Sequence, residues 1–198
     1  ETYDGGYNLE AVTNSSGKAL DYSVVDTMMR IDLPRSLKPG KHIQFKIKWN
    51  YKINNSKKIW ARTGYEYFEK DKNYLYEIAQ FFPRMVAYTD YTGWQHKQFI
   101  GSGEFTLDFG DYDVAITVPA DHVVAATGVL TNASSVLSRA ERDRFKAAKK
   151  SKKPVYIVTP AEALKAQETK STETKTWNFK AKNVRDFAFA SSRKFIWD

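Results

Sequence analysis

Cysteine is absent from the 198 residues. No disulfide framework or thiolate metal site can form, and the redox compartment stays open. Long hydrophobic runs are also missing. No apolar stretch approaches the roughly 20 residues that cross a bilayer, so no membrane span is expected. The opening Glu1-Thr2-Tyr3-Asp4-Gly5-Gly6 has neither an initiator Met nor the charged and apolar regions of a signal peptide. It reads as a processed or excised chain. Histidine is scarce, with only His42, His96 and His122. None precedes Glu and no two lie four apart, which excludes H-E-x-x-H and a helical two-His metal face. A G-x-S-x-G elbow, a P-loop and a dinucleotide fingerprint are absent as well. No catalytic residue and no metal ligand is therefore assigned, and the residues describe a β domain with no autonomous active site.

Aromatic residues are plentiful: twelve Tyr, twelve Phe and five Trp. Flat rings pack well on a pleated face and favour β structure. The length suits one domain, or one domain carrying an insertion. Net charge is +8, from 31 Lys and Arg against 23 Asp and Glu. Much of the excess lies between Arg139 and Lys153, in a predicted surface helix and its exit. Most other Lys residues alternate with apolar ones, as on a solvated sheet face, so no nucleic-acid partner is expected.

Period-two alternation marks the strands. Ile43, Phe45, Ile47, Trp49, Tyr51 and Ile53 alternate with polar residues over 42–53. Val25, Thr27, Met29, Ile31 and Leu33 predict a strand before it, ended by Pro34, with Pro39-Gly40 turning the chain between the two. These two strands predict an antiparallel sheet with one wet face. Strands are also predicted over 60–68 and 74–82 around the turn 69–73. A hairpin is predicted with arms through Phe105, Leu107, Phe109 and through Tyr112, Val114, Ile116, Val118, turning at Gly110-Asp111. Asp108, Asp111 and Asp113 then read as its solvated face rather than a calcium site. Ser138 with Glu141, and Thr159-Pro160 with Glu162, predict two helix starts, with a short strand over 155–158 between them. Trp177, Phe179 and Ala181 return the chain to strand, and the apolar run 187–190 is predicted to be buried. No internal repeat emerges. The result is roughly eight to ten strands and one or two short helices: an all-β, antiparallel β-sandwich or bent sheet with a short helical insertion around 138–167.

Several phrases, taken in order, carry a resemblance. Tyr74-Leu75-Tyr76-Glu77-Ile78-Ala79-Gln80-Phe81-Phe82-Pro83-Arg84 with Ala87-Tyr88-Thr89-Asp90 comes first. The stretch from Phe105 to Pro119, Val123 to Gly128, Lys175 to Phe179 and Asn183 to Ala190 follow. As a series they resemble the N-terminal domain of the aminopeptidase N family of zinc metallopeptidases, in a bacterial-type branch. The likeness covers 74–198 well and 24–53 more loosely. It implies a saddle-like β domain spanning 1–198, lacking its first strands. It also implies an adjoining catalytic domain of the same chain that holds zinc through H-E-x-x-H and a more distant Glu. This segment would then be inactive alone, with no cofactor of its own.

In that family a Gln or Glu of the N-terminal domain accepts a hydrogen bond from the substrate's free α-amino group. A side-chain oxygen suits an ammonium, which has only donors to offer. Gln80 is the positional match, which makes the N-terminus of a peptide substrate the implied ligand. The spacing from Gln80 to Arg84 is one residue shorter than the family's, and its F-P-C-x-D-E-P core is rewritten here around Ala87-Tyr88-Thr89-Asp90-Tyr91. Arg84 with Asp90 is expected as a structural ion pair. A periplasmic or secreted setting is preferred to a cytoplasmic one. The rival reading is a non-enzymatic β-sandwich that binds carbohydrate or protein through exposed rings among Trp49, Trp60, Trp94 and Trp177. A basic single-strand nucleic-acid binder is a third reading.

Overall fold

In the computed structural model, which describes residues 5–59, 61–102 and 106–198, the alternating segments form strands. In chain order these are β1 (Asn8–Asn14), β2 (Tyr22–Val25), β3 (Met28–Ile31), β4 (Phe45–Asn50), β5 (Gly64–Phe68), β6 (Asn73–Ile78), β7 (Tyr88–Thr89), β8 (Gly93–Trp94), β9 (Gly110–Pro119), β10 (Val123–Ala126), β11 (Val129–Leu130), β12 (Thr174–Val184) and β13 (Phe189–Ser192). The helices α1 (Ala133–Val136), α2 (Arg139–Ala148) and α3 (Pro160–Ala166) lie between β11 and β12. The strand pairings are antiparallel, in an all-β architecture. Two compact units arise, one from the described parts of Glu1–Ile53 and Met85–Thr106, the other from Asn54–Arg84 and Leu107–Asp198.

In the first unit β4 keeps the predicted alternation, with Phe45, Ile47 and Trp49 half-buried and Lys46, Lys48 and Asn50 exposed. Its partner is β1, not the segment from Val24 to Leu33. That segment is no single strand. It folds on itself as the β2–β3 hairpin, pairing Val25 with Met28 across a two-residue loop. Asp26 opens the loop at φ 49°, a left-handed conformation that Asp tolerates better than most residues. The hydrophobic alternation runs unbroken through the loop, so periodicity alone could not reveal it.

The second unit is a sandwich. One sheet has the order β10-β13-β6-β5 and the other β11-β12-β9. Their core holds Ile116, Val124, Val136, Leu137, Trp177, Phe179 and Phe187. Burial of each large side chain contributes about 1.5–3 kcal/mol relative to exposure, and Trp177 and Phe187 are the largest that are fully buried. The predicted hairpin at Gly110-Asp111 does not form. Both residues belong to β9, whose partner is β12, with Gly110 opposite Val184 and Pro119 opposite Thr174. Residues 106–109 are not strand, and the Glu104 and Phe105 arm positions lie outside the described residues. A tight two-residue hairpin turn requires positive φ, and Gly110 is not among the positive-φ glycines. Asp111 instead accepts a hydrogen bond from the Asn183 N–H at 2.8 Å, beside a β12 bulge where Asn183 adopts φ 52°. Asp113 pairs with Lys180 at 3.1 Å. These carboxylates thus serve the β9–β12 edge.

Both predicted capping boxes are present. Ser138 and Glu141 start α2, while Thr159 and Glu162 start α3 with Pro160 in its first turn. Arg144 of α2 grips both Glu162 oxygens at 2.8 Å, tying the two helices together. Between them, the predicted strand 155–158 reduces to one bridge, Val158 to Trp197. No helix among the described residues is long and apolar enough to cross a membrane.

Candidate functional site

Gln80 follows the end of β6, is exposed, and has φ 53°. Outside glycine the left-handed region costs about 1–2 kcal/mol. Such a conformation persists only where its surroundings enforce it, and these outliers cluster at functional sites. Here both flanks are held. Upstream, the Ala79 N–H donates to the Thr63 hydroxyl at 3.2 Å, and that hydroxyl donates to the Glu77 carbonyl at 3.0 Å. Downstream, Phe81 and Phe82 pack edge-to-face with centroids 4.9 Å apart. Phe81 also meets Phe189, and Phe82 meets Tyr112.

Arg84 completes the downstream anchor. Its guanidinium lies 5.3 Å from the Phe82 ring centre and 5.8 Å from that of Tyr112. It pairs with Asp186 at 2.6 Å and donates to the Arg185 carbonyl. The carboxylate partner of Arg84 is thus Asp186, not the expected Asp90. Asp186 also accepts from the Phe187 N–H at 2.7 Å, fixing its own geometry beside the fully buried Phe187 ring. Asp186 lies 102 residues from Arg84, beyond the reach of any local sequence pattern.

A second polar constellation lies in the same unit. Asn73, His122, Ser191, Ser192 and Arg193 are buried. Asp121 grips Arg193 through two hydrogen bonds of 3.1 Å and accepts two more, at 2.9 Å, from the Thr169 hydroxyl and the Ser171 N–H. Burial opposes ionisation of Asp121, but the Arg193, Ser171 and Thr169 donors outweigh it and hold the pKa down to about 2. Arg193 also donates to Asn73 Oδ1, which accepts from Lys170 as well, while the Asn73 amide donates to the carbonyls of Asp71 and Gln167. Lys194 pairs with Asp71. The network ties the β5–β6 turn, the segment before β10, the exit of α3 and the chain after β13 into one clasp. Every donor named is matched to an acceptor, so the clasp is structural.

His122 is buried immediately before β10, with Nδ1 2.9 Å from Ser191 Oγ. Burial, with the positive charges of Arg193 and Lys170, lowers its pKa from 6.5 to about 4, against the opposing pull of Asp121. The unfolded chain therefore binds more protons between these two values. The His122 contribution to stability is full above pH 6.5 and drains as pH falls toward 4. The expected loss is on the order of 2 kcal/mol once solvent screening is allowed for. Denaturant midpoints measured from pH 7 to pH 4 should fall more steeply for the natural chain than for His122→Gln; equal slopes would overturn this.

His42 is exposed and lies before β4 rather than opening a strand. His96 is exposed, its Nδ1 2.8 Å from the Trp94 carbonyl. Among the described residues no three His, Asp or Glu side chains gather as a metal site. Of the rings proposed as binding platforms, Trp177 is buried, Trp49 is half-buried and Trp94 is 52% exposed. Trp60 lies outside the described residues. Trp94 meets Tyr88 edge-on at 76°, and Tyr91 beside it is 84% exposed.

No protein-family model and no curated protein matches the chain. Among solved structures it is similar to an M1 zinc metallopeptidase from Deinococcus radiodurans, with 14% identity and a TM-score of 0.47, covering 94% of this chain and 32% of that one. It is also similar to a two-domain M1 zinc metallopeptidase mutant bound to L-arginine, with 15% identity, a TM-score of 0.46 and the same coverage. The chain thus spans about a third of the length of these structures.

Proposed function

We propose that this chain is the non-catalytic N-terminal domain of an aminopeptidase N-type zinc peptidase, and that Gln80 receives the free α-ammonium of the peptide substrate. The carrying observation is Gln80 itself. An exposed glutamine stands in a left-handed turn, anchored on both sides, within the phrase where the family resemblance puts the amine acceptor. The side-chain chemistry is suitable, because an amide oxygen accepts from an ammonium without bringing a second charge into the site. This chain binds and orients the substrate's amino end. Peptide-bond cleavage belongs to the adjoining zinc domain, and no step of it is assigned to these residues.

The test uses protein expressed from the complete reading frame. Bound zinc and chelator-sensitive release of N-terminal residues are expected. Gln80→Ala should reduce kcat/KM for free-amine peptides by about 10- to 100-fold, mainly through KM, as befits one hydrogen bond to a charged group. Gln80→Glu should retain the preference for a free amine. Unchanged kinetics in Gln80→Ala would remove Gln80 from the site. A protein with neither zinc nor activity would favour the second reading.

That second reading, a carbohydrate- or protein-binding module, draws on exposed Tyr88, Tyr91 and Trp94. It ranks lower because the Tyr88–Trp94 pair is edge-on and presents no shared flat face.

A further inference from the structure

We propose that Thr63 is a positioning residue for substrate-amine recognition: its hydroxyl ends β6 just before Gln80 and so sets the turn that presents the Gln80 amide. This rests on the reading of Gln80 given above.

The register shows what the hydroxyl prevents. β6 pairs with both β5 and β13, with Glu77 opposite Gly64 and Ile78 opposite Phe189. Carried two residues further, the same registers would set Gln80 opposite Ala61 on one side and Phe187 on the other. Its side chain would then be one more member of a sheet face. The Ala79 N–H donates instead to Thr63 Oγ1, while that hydroxyl spends its own proton on the Glu77 carbonyl. One side chain thus satisfies two main-chain groups at the strand end, as Ser and Thr hydroxyls do where they compete with regular pairing. The chain then leaves the sheet through the left-handed Gln80.

Thr63 is itself seated on a rigid corner. Its carbonyl accepts from the Asn54 amide at 2.9 Å, and Tyr65 N–H donates to the Asn54 carbonyl at 2.8 Å. Gly64 between them has φ 142°, and a Cβ there would lie 2.4 Å from the Asn54 carbonyl oxygen. The corner admits only glycine, so Asn54, Gly64 and Thr63 hold the hydroxyl in place while Arg84 and Asp186 anchor the far side. Side-chain placement within a fraction of an ångström matters where binding is directional.

The experiment compares Thr63→Val, Thr63→Ala and Thr63→Ser with Gln80→Ala in protein from the complete reading frame. The readout is the ratio of kcat/KM for a free-amine peptide to that for the same peptide N-acetylated. Loss of the hydroxyl in Thr63→Val or Thr63→Ala is expected to lower this ratio about tenfold through KM, and Thr63→Ser to restore it to within about threefold. A general loss of folded protein lowers both rates equally and leaves the ratio unmoved. A ratio that falls in Gln80→Ala but not in Thr63→Val or Thr63→Ala overturns the role of Thr63 and leaves Gln80 standing. A ratio unmoved in Gln80→Ala overturns the reading of Gln80 itself. Should both hydroxyl-free variants fail to fold, amide exchange at Ala79 in the unaltered protein decides: protection is expected, and exchange at the rate of an open amide overturns the proposal.

Discussion

Asp121→Ala is expected to destabilise the folded chain by about 3–5 kcal/mol, the range for breaking a buried ion pair from one side. The reason is what remains. Arg193 and Asp121 have side chains only 8% and 10% exposed, so removing the carboxylate leaves a guanidinium buried with Asn73 Oδ1 as its remaining acceptor. The Ser171 N–H loses its acceptor in the same stroke, while the Thr169 hydroxyl keeps the Ala166 carbonyl. Arg193→Met alone should be costly for the mirror reason. The double variant Asp121→Ala with Arg193→Met should cost less than the sum of the singles, since no charge is then stranded. Urea unfolding of the four proteins gives the coupling directly; a single-variant loss below about 1 kcal/mol would mean that water reaches the pair. Acid should act in the same direction: the contribution of Asp121 is present above the ordinary carboxylate range and is lost as pH falls toward about 2.

Gly128→Ala should be comparably damaging, at about 2–5 kcal/mol, by a different route. Gly128 has φ +92°, and a Cβ there would sit 2.4 Å from the Lys180 carbonyl oxygen and 2.8 Å from its carbon. Left-handed strain accounts for about 1–2 kcal/mol, and forcing two backbones apart for another 1–3 kcal/mol. The backbone atom met is part of β12, where Val129 and Leu130 of β11 pair with Lys180 and Phe179, so the strain falls on the sheet that carries Trp177. Gly17→Ala is the control: it shares a positive φ, +86°, but meets nothing within 4 Å. It should cost only the conformational share. Thermal unfolding of the two variants side by side separates strain from collision, and equal losses would refute the collision.

Much of the second unit was legible in the residues. The alternation of Trp177, Phe179 and Ala181 marked a strand face, and those three are buried. The two capping boxes located the starts of α2 and α3 because a cap depends on residues three positions apart. The phrase around Gln80 was legible only as a resemblance, and nothing in it signalled the left-handed backbone at Gln80. By contrast, the Gly110-Asp111 hairpin and the Arg84–Asp90 pair were local readings that distant partners overruled, and the single strand over 24–33 was broken from within. Asp26 turned a strand into a hairpin, β12 claimed β9, and Asp186 claimed Arg84.

The sequence by itself marked most of the segments that extend and where α2 and α3 begin, because periodicity and capping act within a few residues. Only the tertiary structure decided which strands pair, that Asp121 and Arg193 close a buried clasp, and that Thr63 and Arg84 hold Gln80 from either side. Those outcomes depend on which of many compatible edges and charges meet after the chain has closed loops of tens of residues, and a carboxylate's partner is chosen by geometry in the folded core, not by its neighbours along the chain.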